Sequence, residues 1–277
     1  MGQAKPSVPR FASPFQHKML PLSRRTSPDR KLSCAAANSD ADQDTAGLLA
    51  ARLADPARTA LLAGWAAFLG YAFVFAPNTA EGSAADIATV EALIATPFSG
   101  SVNALFEAQF NSLGVMPAVY AALLFPGAKD QKPVPTLPFV AGSFALGYFA
   151  LGPYLVAREA RPEPVSRSSL GFATKNIFEA KWNAALLLAF ATFLTYWGAS
   201  HISSESIAEY AQMWHTQALV NVSSVDLCVL SVAIYNPLVE DMQRRGWGDR
   251  KAMAAAFCLL PVIGPAAYLL VRPALEE

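Results

Sequence analysis

Apolar residues lie in long runs that are bounded by charged residues. Five intervals between charged residues contain 20 to 25 uncharged positions each, and a sixth, from Glu209 to Glu240, is interrupted only by Asp226. A helix needs about 20 apolar residues to cross the hydrocarbon core of a bilayer. The pattern predicts six transmembrane helices, at residues 59–77, 105–126, 136–157, 182–199, 217–238 and 252–271.

The runs do not alternate between apolar and polar positions, as membrane-spanning strands do. Helices are therefore the expected form, because every backbone polar group in lipid needs a partner within the protein. Composition agrees, since hydrophobic residues make up 53% of the chain and charged residues only 15%. We predict an all-α, polytopic integral membrane bundle at residues 59–275, preceded by a short segment at 41–58.

Residues 1–40 differ from the rest of the chain in composition. They contain seven Lys or Arg, six Ser and five Pro but only two acidic residues, and they have no long apolar run. A basic, Ser-rich and acid-poor leader is typical of an organelle transit peptide. The Ser and Pro content favours a chloroplast transit peptide cleaved near Cys34–Ala37, and a cytosolic disordered tail is the alternative.

The loops between the predicted spans carry unequal charge. Loops 78–104 and 200–216 have no Lys or Arg, whereas loops 158–181 and 239–251 have five and four. Basic loops stay on the side of synthesis or import, here the stroma. Six alternating spans would then put the N-terminal segment, with Arg52 and Arg58, on the far side. An interfacial or re-entrant segment among the first three spans would remove this conflict, and 105–126 is the favoured candidate.

Polar residues inside the spans are candidate functional residues. Asp226 is the clearest case, and Glu107 and Asn111 share one face of another predicted span. A carboxylate within a membrane is costly and marks either a ligand site or a bond between helices. We predict a polar intramembrane site at Asp226, Glu107 and Asn111, with a structural role as the alternative.

A charged segment, EDMQRRGWGDRK at 240–251, follows the fifth span. Its mixture of charges indicates either a topology anchor or a stromal docking loop for a partner, formed by Asp241, Arg244, Arg245 and Trp247.

No motif for catalysis or metal binding is visible in the sequence. GxSxG, HExxH, CxxC and phosphate-binding glycine loops are missing, and Cys34, Cys228 and Cys258 are scattered. We expect no catalytic residues, no metal and no nucleic-acid partner. His201 and His215 flank the loop between spans four and five, so a bound pigment or lipid is a minor alternative to the absence of a cofactor.

Several strings resemble an uncharacterised family of multi-pass chloroplast membrane proteins of plants and algae, with cyanobacterial relatives. They are YAFVFAPN (71–78), VNALFEAQFNSLGVMPAVYAALLFP (102–126), LPFVAGSFALGYFALGPYLV (137–156), SSVDLCVLSVAIYNPLVEDMQRRGW (223–247) and LLPVIGPAAYLLVRPAL (259–275). Asn111, Asp226, Asp241 and Trp247 match polar or aromatic points of the family pattern, and Asn236-Pro237 departs from it.

The last of these strings is also similar to the N-terminal membrane segment of phospholipase D nuclease-type proteins, which is an anchor and implies no activity. The resemblance to the chloroplast family implies a plastid membrane protein and brings no known activity. We therefore expect a non-enzymatic protein of the thylakoid or inner envelope that takes part in assembly or scaffolding of a membrane complex with other subunits. A carrier for a small solute, ion or lipid, using Asp226, is the alternative, because broken helices with buried carboxylates form carrier sites.

One short internal similarity is visible between MPAVYAALLFP (116–126) and GPAAYLLVRP (264–273). It is too short to establish a repeat.

Overall fold

The computed structural model describes residues 55–77, 79–248 and 250–277, and this part of the chain is all-helical. The predicted transit peptide at 1–40 and most of the segment 41–58 lie outside the described residues. The helices are α1 (Pro56–Val74), α2 (Ala80–Ala95), α3 (Ala104–Leu124), α4 (Thr136–Leu146), α5 (Tyr148–Ala157), α6 (Lys181–Ser200), α7 (Ser204–Thr216), α8 (Ala218–Ala233), α9 (Tyr235–Arg244), α10 (Lys251–Cys258) and α11 (Ile263–Val271).

Local capping determines where several helices begin. Asp55 accepts a hydrogen bond from the backbone N–H of Ala57 at the start of α1, where Pro56 occupies the first turn. Asn103 caps α3 by accepting from two backbone N–H groups, and Ser203 forms a capping box with Ser206 at the start of α7. These polar residues end the loops and satisfy donors that the first turn leaves without partners.

Three continuous helical segments in the described chain are long and apolar enough to cross a membrane. They are Pro56–Val74, Ala104–Gly127 and Ala218–Arg244, and they correspond to predicted spans 59–77, 105–126 and 217–238. The pair α6 and α7 qualifies as a fourth when taken together, with a bend of 108° between the two helices. The sequence favours residues 105–126 as an interfacial or re-entrant segment, and the re-entrant form is wrong, because α3 is one continuous helix that includes Pro117.

Residues 136–157 do not form the single predicted span. They form an antiparallel helical hairpin, α4–α5, that turns at Gly147, where φ is 52° and ψ is −131°. The two arms meet along their length: the Thr136 and Tyr154 hydroxyl groups lie 2.7 Å apart, and a Cβ on Gly142 would lie 3.3 Å from the Cβ of Ala150. Each arm has only about half the length needed to cross a bilayer.

The predicted span 252–271 is a second helical hairpin, α10–α11. The chain turns between Cys258 and Ile263, and Val262 adopts a positive φ of 65°. The rings of Phe257 and Tyr268 lie 5.5 Å apart, which a continuous helix would not allow over eleven residues. The apolar run is therefore long enough for one crossing but is used for two short arms.

The arginine-rich end of the bundle, called the basic end below, gathers the ends of both hairpins. Arg158 follows α5 and bonds to Glu240 of α9, while Arg272 follows α11 and bonds to Asp241 of α9. The start of α1 is at the same end, since Arg58 donates to the carbonyl of Val156. Both hairpins thus begin and end at the basic end of the bundle. The start of α1 and the end of α11 lie at the same end. Strict alternation of six crossings is therefore not the arrangement in the structure.

Candidate functional site

Seven charged side chains form one buried cluster at the basic end. We call it the arginine–carboxylate cluster, and its members are Arg158, Glu179, Glu240, Asp241, Arg244, Arg245 and Arg272. Four guanidinium groups face three carboxylates, so the cluster has one net positive charge (4 − 3 = 1). Burial of charges is favourable only when each is paired and hydrogen-bonded.

Asp241 lies at the centre of the cluster and is fully buried, with 0% exposure. Arg244 donates to its Oδ1 over 3.1 Å, and Arg245 donates to Oδ2 over 2.8 Å. Arg272 and the hydroxyl of Tyr268 also donate to Oδ2, over 3.1 and 2.8 Å. One carboxylate therefore connects α9 to the end of the second hairpin.

Glu240 makes the equivalent connection to the first hairpin. Both of its oxygens accept from Arg158, and Oε1 also accepts from Arg244 over 2.8 Å and from the backbone N–H of Arg161 over 3.0 Å. Neighbouring residues of a helix point about 100° apart, so Glu240 and Asp241 reach different hairpins from adjacent positions of α9.

Glu179 completes the cluster just before α6. It accepts from Arg245 over 2.7 Å and from Arg272 over 2.8 Å. Remaining guanidinium N–H groups donate to backbone carbonyls of Ala122 and Leu123 near the end of α3, where helical carbonyls lack helical partners. The cluster thus joins the ends of α3, α5, α9 and α11 to the start of α6.

The predicted docking loop is part of this cluster. Asp241 and Arg244 are buried, and the side chain of Arg245 is 1% exposed, so all three are used in bonds within the chain. Trp247 is half-buried, packs against the edge of Tyr268 and lies under the guanidinium of Arg250. The prediction of a loop at Asp241, Arg244 and Arg245 is wrong, because the structure has Asp241 and Arg244 on α9 and Arg245 at its end. No signal in the sequence indicates Arg158, Glu179 or Arg272.

Asp226 is buried in α8 and faces the turn of the first hairpin. Its Oδ1 accepts from the backbone N–H of Tyr148, the first residue of α5, over 2.8 Å. A Cβ on Gly147 would lie 1.6 Å from Oδ2, so only glycine fits there. A carboxylate at a helix N-terminus satisfies a free N–H and interacts favourably with the helix dipole. Asp226 therefore acts as a cap supplied by a distant helix.

Glu107 and Asn111 have partners other than Asp226. Glu107 accepts from the backbone N–H of Phe98 over 2.6 Å and from the indole N–H of Trp197 over 3.2 Å. Asn111 donates to the carbonyl of Glu107, one turn earlier in the same helix. Glu107 thus joins the loop before α3 to the end of α6, at the end of the bundle opposite the cluster, whereas the hydrogen bond of Asn111 stays within α3.

Polar contacts at this opposite end join α2 to α8. Asp86 of α2 accepts through Oδ2 from the backbone N–H of Leu219 in the first turn of α8. Its Oδ1 and the Oδ1 of Asn221 are buried without a hydrogen-bond partner. Burial raises the pKa of Asp86, although hydrogen bonds from the backbone of Leu219 and Ala218 oppose the shift.

We expect Asp86→Asn to make unfolding less dependent on pH. Because the pKa of Asp86 is raised in the folded state, its contribution to stability is present at low pH and is lost as pH rises through that folded pKa. Asparagine keeps the acceptor without the charge, so the variant should melt at a higher temperature than the wild type at pH 8. Thermal unfolding in detergent at pH 3 and 8, which lie on either side of the ordinary pKa of 3.8, measures this, with the exposed Glu91→Gln as control. Equal pH slopes for Asp86→Asn and wild type would contradict it.

His201 and His215 are the candidate pigment ligands, and both lie within the described residues. His201 is exposed, and its Nδ1 lies 2.8 Å from the carbonyl of Trp197, which requires a proton on that nitrogen. His215 lies in the last turn of α7. Among the described residues, no group of three or more His, Cys, Asp and Glu is placed to hold a metal ion.

No protein-family model, curated protein or solved structure matches the chain. The geometry of the described residues is therefore the basis for the function proposed below.

Proposed function

We propose that the protein is a non-enzymatic integral membrane protein of the chloroplast, in the thylakoid or inner envelope, that takes part in the assembly or scaffolding of a membrane complex. The basic, Ser-rich leader and the resemblance described above support the compartment. The apolar helices support the location in a membrane. Of the residues of α1, Phe68 alone is buried inside the described part of the protein, so an apolar surface remains for lipid or another subunit.

In this proposal α1, α3, α6 and the continuous α8–α9 cross the bilayer, and the two hairpins enter and return. The basic end then faces the stroma, because the loops at that end carry the Lys and Arg residues while 78–104 and 200–216 carry none. Arg58 lies on the same side as the other basic residues, which removes the conflict in the predicted orientation.

The arginine–carboxylate cluster is the observation that carries the scaffold proposal. Its charged side chains are bonded to one another and to helix ends. These buried charges therefore hold helices together. The outer face of α6, in contrast, has a row of exposed large apolar side chains: Trp182, Leu186, Phe190, Phe193 and Tyr196. A row three and four residues apart is one helix face, and in lipid it can receive another helix.

Crosslinking from this face of α6 tests the proposal. A photoreactive amino acid replaces Leu186, and the matched control carries it at Leu194, a buried position of the same helix. We expect position 186 to give a crosslink to another membrane protein, and native gels of thylakoid and envelope fractions to show both proteins in one band. Crosslinks to lipid alone, together with migration as a free monomer, would overturn the proposal.

A carrier is the second candidate, and the position of Asp226 favours it. The carboxylate meets the N-terminus of a half-length helix inside the bundle, which is an arrangement that carriers use at their binding sites. Asp226→Asn retains an acceptor for the Tyr148 N–H. If the protein is a carrier, this variant accumulates normally but loses solute flux in liposomes; a lower amount of protein with unchanged flux per molecule indicates the structural cap instead.

A further inference from the structure

We infer that the described chain consists of two copies of one structural unit, residues 56–158 and 181–272, and that each unit is the binding partner of the other. Each unit has the same order of elements: a long helix, a shorter helix, a second long helix and a helical hairpin. In the first unit these are α1, α2, α3 and α4–α5, and in the second they are α6, α7, α8–α9 and α10–α11. The inference is independent of the proposed function.

The hairpins turn at equivalent residues. Gly147 and Val262 each immediately precede the returning helix, and both have a positive φ, of 52° and 65°. A β-branched residue rarely adopts a positive φ, so its presence in the second hairpin marks the same position of the turn. The ψ angles differ, at −131° and −58°, so the two turns share their position and the sign of φ only. The two positions lie 115 residues apart (262 − 147).

The returning helices share sequence and contacts. Gly152-Pro153 leads to Tyr154 and then Arg158, as Gly264-Pro265 leads to Tyr268 and then Arg272, with two extra residues after the second proline. Arg158 bonds to Glu240 and Arg272 to Asp241, which are adjacent residues of α9. This pairing of 152–158 with 264–272 replaces the similarity to 116–126 noted in the sequence.

Basic side chains at the starts of the first helices make matching contacts. Arg58 near the start of α1 donates to the carbonyl of Val156 over 3.5 Å. Lys181 at the start of α6 donates to the carbonyls of Leu270 and Arg272, each over 2.6 Å, and lies 3.4 Å from that of Leu269. Val156 and Leu270 lie 114 residues apart (270 − 156). The same separation relates Tyr154 to Tyr268 and Arg158 to Arg272, so one alignment accounts for three pairs.

The short helices make exchanged contacts between the units. In the first unit, Asp86 of α2 binds the N-terminus of α8 in the second. In the second unit, Ser206 of α7 accepts through its carbonyl from Asn103, which caps α3 in the first. Each unit thus places its short helix at the start of the partner's second long helix, as expected for two copies related by a twofold axis.

At the basic end of the bundle, charged side chains form hydrogen bonds and ion pairs between the two units. Arg158 of the first unit reaches Glu240 of the second, and Arg272 and Arg244 of the second reach the carbonyls of Ala122 and Leu123 of the first. These bonds cross between the units, whereas residues 159–180 are the covalent connection. Because the contacts do not depend on that connection, the units should remain together without it.

Cleavage of the folded full-length protein tests this inference. A protease site is inserted between Leu170 and Gly171, at an exposed stretch with nothing within 4 Å of a Cβ on Gly171. With an affinity tag on one half in mild detergent, we expect the untagged half to be retained in near-equal amount after cleavage. Release of most of it would overturn the inference.

A pair of variants shows whether the untagged half is retained by contacts between the units or only because both halves share one detergent micelle. Arg158→Leu removes the charge that crosses between the units, and Arg167→Leu removes the more exposed pair with Glu277. We expect at least a several-fold lower retention for Arg158→Leu and wild-type retention for Arg167→Leu. If Arg158→Leu does not accumulate, the two halves 1–170 and 171–277 are expressed as separate wild-type chains: co-purification supports the inference, and separate or degraded halves overturn it.

Discussion

Replacing Asp241 with asparagine is expected to lower the free energy of unfolding by about 3–5 kcal/mol, the cost of removing one partner from a buried ion pair. Asp241 accepts from three arginines and from Tyr268, and it is fully buried. The substitution raises the net charge of the cluster from one to two. It also replaces one carboxylate oxygen with an amide nitrogen, so that N–H donors of the asparagine face N–H donors of the arginines. The helix ends joined by the cluster should separate more easily.

Thermal unfolding of the purified protein in detergent measures this loss, and the amount of protein in membranes gives a second measure. Asp130→Asn is the matched control, because Asp130 lies in an exposed loop and its φ of 55° suits asparagine. The control should remain within about 0.5 kcal/mol of the wild type. If the two variants were equally stable, the cluster would not hold the helices together.

The long helices could be predicted because their signals are local. The interval from Arg58 to Glu81 contains only uncharged residues, most of them apolar. Length and hydropathy over some 20 residues are enough to identify α1, α3 and α8–α9. The same signals gave wrong predictions at 136–157 and 252–271, where single spans were expected and helical hairpins are found. An apolar run of that length fits one crossing or two half-length arms equally well.

The turn within 136–157 depends on a residue 79 positions away (226 − 147). Gly147 alone does not end a helix, and other glycines of the chain lie inside helices, such as Gly64 and Gly70 in α1. The N–H of Tyr148 can leave the helical pattern because Asp226 of α8 accepts it. Such tertiary contacts cannot be derived from periodicity, and the second turn, at Val262, uses a residue type that rarely takes a positive φ.

The cluster was not predicted, because the charges at 240–251 were interpreted as a loop that anchors the topology or docks a partner. Asp241, Arg244 and Arg245 are three and four residues apart on one helix, so their proximity follows from helical geometry. Their burial does not, because charged residues are rarely buried unless distant partners pair with them. Arg158, Glu179 and Arg272 are those partners, and they come from other helix ends that only the folded chain brings together.

Gly147→Ala is expected to cost on the order of 4 kcal/mol, through backbone strain at φ 52° and the loss of a buried hydrogen bond. The new Cβ would lie 1.6 Å from Oδ2 of Asp226, so the carboxylate would have to move away from the N–H of Tyr148. The first hairpin would then lose the cap that fixes its turn. Thermal unfolding in detergent measures the loss.

Two further variants separate strain from the clash with Asp226. Gly100→Ala places a Cβ at a φ of 80° with nothing within 4 Å, so it should cost only the strain, about 1–3 kcal/mol. Combining Gly147→Ala with Asp226→Ala removes the clashing carboxylate, so the double variant should lose less stability than the sum of the two single losses. Additive losses would mean that Gly147 and Asp226 act independently, and the cap across α5 and α8 would then not be what shapes the hairpin.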